Sequence, residues 1–483
     1  MTVHHHSPVC RALCTSTRST LHYAYYEPGF RIVHLLNSFL IFVKELESTD
    51  MEWADRSFLL DIKPNACFAN LFVNCPEGTQ RDLIRILKDG VELASNSSNT
   101  ENDDILEHLI EPKPNSASGR IPSLKATVDG LLLCPETVTN YAWTDDHQTF
   151  SCKLKVERWE ECYFSPKSLK ATLKILSGDG TLDQLCQEFN GQEINVQCVQ
   201  CRKRLMKEAA KISRVFQLPS SNYSETADEW FCCCSNHQSR GSGQTACSHS
   251  PASSSTRMGS PTLEQCFIGD SHFLLCGKVV EGISVMLDNA SNKVPIVICS
   301  GCQNQLGSLE VPRGTVNISE NDTIRLYHSA ADLYCKNGDI QRSFLSSRFR
   351  TRERYFAWLL LSECEQQSSL KFALKTLDHH PVLLVWLLDS YSIMVNGRLS
   401  DMWNTAPFKP FPTLKMLYKK LDDSDMSDPR VTGEDGSVGR LSLPKEACDE
   451  LISFLAKSTI SLPPACRAVG HFSVGYVRMA SSL

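Results

Sequence analysis

The sequence predicts a mainly β protein of the α+β class, with two packed β-rich domains and a C-terminal α+β portion. Three observations support this prediction. Short apolar runs alternate with Pro, Gly and Asn from Met51 to about Lys155, two strand-like segments each run into a Cys-x-x-Cys pair, and an amphipathic helical pattern precedes the last strand-like run. Runs of this length bounded by turn residues are typical of strands.

Composition excludes two classes of partner. The chain has 483 residues, of which 42% are hydrophobic and 22% charged, as expected of a globular protein with several domains. Its net charge of −6 gives no basic surface for phosphates, and the run Arg202 to Arg204 is typical of a solvated face. The first apolar run, Ile32 to Val43, is shorter than the roughly 20 residues that span a bilayer. We expect neither direct nucleic-acid binding nor membrane insertion.

Cysteine is frequent, with 22 residues. No secretory signal precedes them, so reduced or metal-bound sulfur is expected rather than disulfides. This pattern favours a cytoplasmic or nuclear protein, or one found in both.

The first two predicted segments cover residues 1–190. Residues 1–50 contain three consecutive histidines and scattered Ser, Thr and Cys, and we expect a poorly ordered extension there rather than a metal site. Residues 51–190 are predicted to form a β-rich N-terminal domain. Alternating patterns predict strands at Cys152–Val156 and Leu169–Ile175, and apolar residues at helical spacing predict a helix at Leu182–Phe189.

Two further segments follow. Residues 191–310 hold both Cys-x-x-Cys pairs, a Trp-Phe-Cys-Cys-Cys segment after a predicted helix at Ser221–Phe231, and a Ser/Gly/Pro-rich insertion at 238–262 expected to be disordered. Residues 311–483 are predicted to be α+β. The elements expected there are helices at Ser343–Ser362 and Leu443–Lys457, strands at Val382–Leu388, Leu414–Leu421 and His471–Val477, and an acidic loop at Asp422–Val438.

The two Cys-x-x-Cys pairs predict a closed metal site. Four thiolates complete a tetrahedral zinc site, and a site without an open position is structural. The pairs are far apart in sequence, so two knuckles must be brought together by the fold. Two unrelated thiol pairs, or a redox pair, remain alternatives. The predicted zinc ligands are Cys198, Cys201, Cys299 and Cys302.

A second sulfur group, Cys232, Cys233 and Cys234, follows Trp230 and Phe231. One of these thiols, with His237 nearby as a base, is a candidate nucleophile. Alternatively, one sulfur binds a metal of another protein, or all three are inert. By contrast, Gly269 to His272 places Asp, Ser and His together only in sequence, and we interpret it as a turn between strands.

Several segments resemble the HECT-like ubiquitin-conjugating-enzyme-binding family. They run in one order through residues 120–480 and include QLPSSNYSETADEWFCCC at 217–234, EQCFIGDSHFLL at 264–275, VLLVWLLDSYSIMV at 382–395 and LSLPKEACDELISFLAKSTISLP at 441–463. The resemblance implies an E3 ubiquitin-protein ligase that binds a ubiquitin-conjugating enzyme, accepts ubiquitin and passes it to substrates such as mitotic cyclin. Cys232 is then the catalytic candidate, with Cys233 and Cys234 as alternates.

The same family implies an alternative, non-enzymatic role. In it, the protein inhibits or chaperones the metallo-β-lactamase-type endonuclease of pre-mRNA 3′-end processing, and a cysteine enters the nuclease metal site. The corresponding partner-binding residues here are Leu218, Pro219, Trp230, Phe231 and Cys232. A histidine often follows the cysteine in the family, whereas Cys233 and Cys234 follow it here.

Overall fold

Two sheets of unequal size dominate the computed structural model. It describes residues 53–54, 56–75, 79, 83–94, 123–144, 148–159, 166, 168–177, 181–218, 260–286, 295–310, 322–337, 340–400 and 406–480. Residues 52–483 group into one compact unit. The described part is rich in β structure, as the sequence predicts.

The strands of the N-terminal half are β1 Ser57–Lys63, β2 Phe68–Asn74, β3 Ile84–Leu87, β4 Gly90–Leu93, β5 Leu124–Thr127, β6 Leu131–Trp143, β7 Thr149–Trp159, β8 Glu193–Cys198 and β9 Arg214–Gln217. Those that follow are β10 Gln265–Ile268, β11 His272–Cys276, β12 Ile283–Met286, β13 Ile296–Cys299, β14 Gln305–Glu310, β15 Thr323–Tyr327, β16 Ala331–Asn337, β17 Ile340–Ser343, β18 Lys371–Thr376, β19 Pro381–Arg398, β20 Phe411–Lys420, β21 Gly439–Leu443, β22 Ala468–Val469 and β23 Phe472–Arg478.

The described α-helices are α1 Leu169–Leu176, α2 Leu182–Phe189, α3 Phe344–Phe349, α4 Arg352–Gln367, α5 Pro429–Thr432 and α6 Lys445–Ile460. None of the helices in the described ranges is long and apolar enough to cross a lipid bilayer.

The larger sheet joins strands from both ends of the chain. Its order is β22-β23-β20-β19-β1-β2-β7-β6, with β18 beside β19 and β21 parallel to β18. Strand β1 pairs antiparallel with β19, so that Leu60 lies opposite Val395. Helices α1, α4 and α6 supply buried residues to the core that includes one face of this sheet. We call this part, residues 53–177 and 345–480, the main lobe.

A second core is built from residues that lie, in the sequence, between the two parts of the main lobe. Its buried residues run from Leu182 to Phe344. Most of them come from α2, from the seven-stranded sheet β12-β13-β14-β15-β11-β10-β9 and from the three-stranded sheet β17-β16-β8. We call residues 181–344 the inserted lobe. The predicted division into segments 51–190, 191–310 and 311–483 stays a prediction.

One predicted strand is wrong. Leu169–Ile175 is not a strand but most of helix α1, which begins after Ser168, whose hydroxyl accepts the N–H of Ala171. Leu173 and Leu176, together with Thr172, form the buried side of this helix, while Lys170 and Lys174 lie four residues apart on another side. The LKATLKI run fits a period of two and a period of 3.6, and the N-cap serine favours the helix.

Other predicted elements agree in type. Helix α2 has the predicted bounds, Leu182–Phe189, and a capping box between Thr181 and Gln184. The helix predicted at Ser343–Ser362 is divided into α3 and α4, because Arg350, with φ 64° and ψ −50°, departs from the helical backbone. The predicted acidic loop contains a short 3-10 turn at Asp423–Asp425 and helix α5. Helix α6 covers most of Leu443–Lys457 and continues to Ile460.

Candidate metal centre and adjoining cleft

The first Cys-x-x-Cys pair forms a tight turn at the end of β8. The Cys198 N–H donates to the Lys203 carbonyl at 2.9 Å, and the Arg202 N–H donates to the Cys198 carbonyl at 3.0 Å. Arg202 adopts a left-handed backbone with φ 61°. These bonds fold the chain back on itself, so that both sulfurs of the pair lie on one side of the turn.

The second pair repeats this geometry in the turn between β13 and β14. The Cys299 N–H donates to the Asn304 carbonyl at 2.9 Å, and the Gln303 N–H donates to the Cys299 carbonyl at 2.8 Å. Gln303 has φ 63°. The two turns therefore match bond for bond, and we call them the first and second knuckle.

The fold brings the four sulfurs of the two knuckles together. All four ligand atoms lie within 4.8 Å of one another. Cys198 Sγ is 3.6 Å from Cys302 Sγ, and Cys201 Sγ is 3.5 Å from Cys299 Sγ. A tetrahedron with metal–sulfur bonds of about 2.3 Å has edges of about 3.8 Å, whereas a disulfide measures about 2.05 Å. The spacing thus fits four thiolates around one ion and does not fit bridged sulfurs.

Backbone amides surround the sulfurs in an equivalent way in both knuckles. The Gly301 N–H donates to Cys299 Sγ at 3.4 Å, and the Gln200 and Cys201 amides bond to Cys198 Sγ. Burial raises the pKa of Cys198, although these amides lower it in part. For Cys201, partial desolvation raises the pKa, but the Lys203 amide and the neighbouring thiols outweigh it and lower the pKa to about 7. Such amides stabilise the thiolate, which is the form that binds metal.

Side chains also connect the knuckles. Lys203 Nζ of the first knuckle donates to Ser300 Oγ of the second at 2.8 Å. A Cβ atom on Gly301 would lie 3.3 Å from Cys201 Sγ and 3.6 Å from Cys299 Sγ. At Gly301 the second knuckle consequently approaches Cys201 Sγ of the first knuckle so closely that a side chain would crowd that sulfur.

A cleft of about 360 Å³ lies beside the first knuckle, between the inserted lobe and the main lobe. Arg352 of α4 donates through Nε to Glu450 Oε1 at 2.6 Å and through Nη2 to the Ser329 carbonyl at 2.8 Å. Gln305 Oε1 accepts the Lys445 N–H at 3.0 Å, at the start of α6. The residues that line the cleft are Cys198, Val199, Gln200, Asn304, Gln305, Ser329, Ala330, Arg352, Glu446 and Glu450.

Sequence reasoning did not identify this cleft. Arg352, Glu446 and Glu450 occur in helical sequence with ordinary charge patterns, and they meet only because α4 and α6 pack in the same core. The one available signal was the position of Glu446 in the first turn of a predicted helix, which equally indicates a favourable helix-dipole contact.

Of the predicted partner-binding residues, only Leu218 lies in the described ranges. Its N–H donates to the Ile268 carbonyl at 2.8 Å, directly after β9 at the edge of the seven-stranded sheet. Pro219, Trp230, Phe231 and the catalytic candidate Cys232 lie outside the described residues. The alternates Cys233 and Cys234, the predicted helix at Ser221–Phe231 and the insertion at 238–262 lie outside them as well.

The Gly269 to His272 segment is a turn between β10 and β11, as interpreted from the sequence. Ser271 Oγ lies 2.9 Å from His272 Nδ1, and both side chains are buried. Asp270 instead pairs with Arg348 at 3.1 Å. Burial, with the nearby charges of Arg325 and His328, lowers the pKa of His272 to about 3. A neutral, buried imidazole here belongs to the packing of the inserted lobe.

Comparison with known proteins places most of the chain in one family profile. The profile of the HECT-like ubiquitin-conjugating enzyme (E2)-binding family matches residues 62–474. A human protein named as an E3 ubiquitin-protein ligase is 26% identical over 314 residues, covering 58% of this chain and 72% of that protein. The protein of the same name from Mus musculus is 26% identical over 336 residues, covering 66% and 80%. No solved structure matches.

Proposed function

This chain belongs to the HECT-like ubiquitin-conjugating enzyme (E2)-binding family, and from that membership we propose that it acts as an E3 ubiquitin-protein ligase-like protein. It binds a ubiquitin-conjugating enzyme and promotes the transfer of ubiquitin to protein substrates. The observation that carries the proposal is the family match across residues 62–474, which includes both lobes and both knuckles. Two relatives with the ligase name support the same activity.

The four-cysteine cluster has a structural role in this proposal. Zinc is the metal that four thiolates in tetrahedral arrangement favour, and a closed site of this kind contributes to folding. Cys198, Cys201, Cys299 and Cys302 would hold it. Their thiolates fix the first knuckle against the second, and Val199 anchors the first knuckle to Ala330 through an N–H to carbonyl bond of 2.9 Å.

Transfer through a ubiquitin thioester on this chain requires an accessible thiol that is separate from this cluster. We assign that role to Cys232, with Cys233 and Cys234 as alternates, because three consecutive thiols follow an aromatic pair in the segment that carries the family resemblance. The Cys232 sulfur would attack the thioester carbonyl of ubiquitin on the conjugating enzyme. A new thioester forms, and the cysteine of the conjugating enzyme leaves as a thiolate.

A charging assay tests the proposal. The protein is mixed with activating enzyme, ubiquitin and a panel of charged conjugating enzymes, and adducts are resolved with and without dithiothreitol. We expect an adduct that dithiothreitol removes, and its loss when Cys232, Cys233 and Cys234 are changed together to Ser. Cys67→Ser, which alters an exposed thiol of the main lobe, is the matched control. An adduct that persists in the triple variant would contradict the assignment of the thiol.

Binding of the conjugating enzyme is measured separately, by pull-down with the same panel. If no member of the panel binds the wild-type protein, the ligase proposal fails. The substrate class and the cellular location are further predictions. Mitotic cyclin is the substrate class implied by the family resemblance, and the protein is expected in the cytoplasm, the nucleus or both.

The nuclease-inhibitor role remains the alternative. It requires Leu218, Pro219, Trp230, Phe231 and Cys232 to form an extended segment that ends in a metal-binding sulfur. Pull-down of the 3′-end-processing endonuclease with the triple Ser variant distinguishes the two roles. Loss of nuclease binding with an intact ubiquitin adduct would favour the alternative.

A further inference from the structure

The cleft between the lobes has an excess of hydrogen-bond acceptors. Glu446 Oε2 is buried and has no hydrogen-bond partner among the described residues. Its other oxygen, Oε1, accepts the Asn304 amide at 3.2 Å when that amide is oriented to donate also to the Cys302 carbonyl. Glu446, a residue that lines the cleft, therefore keeps one carboxylate oxygen without a donor among the described residues. Leaving such a group unpaired is costly.

A second buried acceptor lies in the same cleft. Ser329 lines the cleft and is 3% exposed, and its Oγ makes no hydrogen bond with any described residue. The Tyr355 hydroxyl is near enough for Ser329 to lower the pKa of that phenol in part, but neither oxygen has a partner at hydrogen-bond geometry among the described residues. Ser329 of the inserted lobe and Glu446 of the main lobe thus line one cleft, and each has a side-chain oxygen without a partner among the described residues.

Arg352, the arginine that lines the cleft, pairs with Glu450 and not with Glu446. Arg352 directs its N–H groups to both oxygens of Glu450 and to the Ser329 carbonyl, so these donors are used within the wall. Burial is the largest influence on Glu446 and raises its pKa, which the backbone amides of Gln305 and of Glu446 itself offset in part. Along α6, Asp449 raises this pKa and Lys445 lowers it. With two carboxylates and one guanidinium, the lining carries a surplus negative charge.

From this arrangement we infer that the cleft binds a cationic side chain, arginine or lysine, of a protein partner. A guanidinium or ammonium group carries several N–H donors and a positive charge. It would supply the hydrogen bonds that Glu446 Oε2 and Ser329 Oγ do not receive from the described residues. The volume of about 360 Å³ is small and suits one long side chain rather than a large ligand. The inference does not depend on ubiquitin chemistry and stands or falls independently of the proposed function.

The cleft also borders the cysteine cluster. Cys198, Val199 and Gln200 of the first knuckle and Asn304 of the second form part of its wall. Because Asn304 donates to Glu446 Oε1 and follows Cys302 by two residues, the second knuckle helps to fix the position of this carboxylate.

A titration with small probes tests the inference. L-argininamide and L-lysinamide are added to the full-length protein at low salt, and binding is followed by NMR. L-citrullinamide, which resembles arginine but has a neutral side chain, is the control ligand. We expect saturable binding of both cations and binding of citrullinamide at least tenfold weaker. Equal binding of citrullinamide, or no saturable binding of either cation, would overturn the inference.

Two variants locate the site. Glu446→Gln should weaken argininamide at least tenfold, whereas Asp449→Asn, which removes an exposed charge from the same helix, should change it less than twofold. Ser329→Ala should weaken argininamide binding two- to fivefold. This variant replaces Glu446→Gln as the test if Glu446→Gln lowers the melting temperature. Unchanged affinity in both Glu446→Gln and Ser329→Ala would refute the assignment of this cleft.

Discussion

Arg202 and Gln303 occupy equivalent positions in the two knuckles. Each directly follows the second cysteine of its pair, each has a left-handed backbone, with φ 61° and 63°, and each donates its N–H to the carbonyl of the first cysteine. Side chains other than glycine adopt this backbone at a cost of about 1–2 kcal/mol. Both knuckles contain this unfavourable backbone at the equivalent position. This repetition indicates that the turn geometry is required to orient the sulfurs.

This equivalence predicts the response to substitution of Gln303. Gln303→Gly should change the free energy of unfolding by less than about 1 kcal/mol, because glycine adopts a positive φ freely. Gln303→Val should destabilise the protein by about 1–3 kcal/mol and accelerate metal loss to a chelator, since a β-branched residue is strained there. Denaturation and chelator kinetics on both variants provide the check. Equal stability of the two variants would contradict the role of the turn.

The close approach of Gly301 to the sulfurs gives a second prediction. Gly301→Ala should lower metal affinity by about tenfold, because the new Cβ atom would lie 3.3 Å from Cys201 Sγ and 3.0 Å from Lys203 Cδ, and overpacking typically costs about 1–3 kcal/mol. Gly436→Ala is the matched control, since no atom lies within 4 Å of a Cβ atom placed there. Competition with a chromogenic chelator measures the difference. An affinity of Gly301→Ala equal to that of the control would show that the knuckle has room.

Arg354 of α4 binds the C-terminal end of α1, and this contact gives a third prediction. Its Nε donates to the Leu176 carbonyl at 2.8 Å and its Nη2 to the Ile175 carbonyl at 2.5 Å, so that a side chain of α4 satisfies the C-terminal end of α1. Arg354→Met should destabilise the protein by about 2–4 kcal/mol, because buried carbonyls lose charged donors. Arg342→Met, at an exposed ion pair with Glu188, should cost less than about 1 kcal/mol. Similar losses in both variants would contradict this role of Arg354.

The buried histidines predict a loss of stability in acid. Burial lowers the pKa of His272 to about 3 and that of His328 to about 4, against about 6.5 in an unfolded chain. Below pH 6.5 these histidines bind protons in the unfolded state but stay neutral in the folded state. The stability is therefore complete above pH 6.5 and falls as the pH approaches 4, by about 1.4 kcal/mol per pH unit for each histidine.

His328→Gln tests this pH dependence. Glutamine keeps an N–H donor for the Gly269 carbonyl, which His328 Nε2 contacts at 2.9 Å, but does not titrate. The slope of unfolding free energy between pH 6.5 and 4.5 should decrease by about one proton relative to the wild type. An unchanged slope would mean that His328 is protonated in the folded protein.

Local features of this fold are readable from the sequence because they depend on near neighbours. The knuckles follow from two cysteines at a fixed spacing after a strand, and α2 follows from Thr181, Gln184 and an apolar stripe. Helix α1 shows the limit of such reasoning. Its seven-residue run fits both periods, and its buried side is defined by contacts with the distant elements α4 and β19.

Distant pairings are not readable in this way. Nothing in the sequence of β1 indicates that Leu60 pairs with Val395, because many apolar strands would satisfy the same alternation. The interlobe cleft depends on such pairings as well. Arg352 and Glu450 meet only once α4 and α6 share a core, and the free oxygen of Glu446 becomes apparent only when Asn304 is placed beside it.

The zinc content of purified protein, wild type and variant, provides the decisive check on the knuckles. We propose that the four knuckle sulfurs hold one structural zinc ion and that the Cys232 cluster takes no part in binding it. We expect one zinc ion per chain in the wild type and in the variant with Cys232, Cys233 and Cys234 changed to Ser, and loss of zinc when Cys198→Ser is combined with Cys299→Ser. Zinc that survives the knuckle substitutions, or disappears in the triple Ser variant, would refute a separate metal centre at the knuckles.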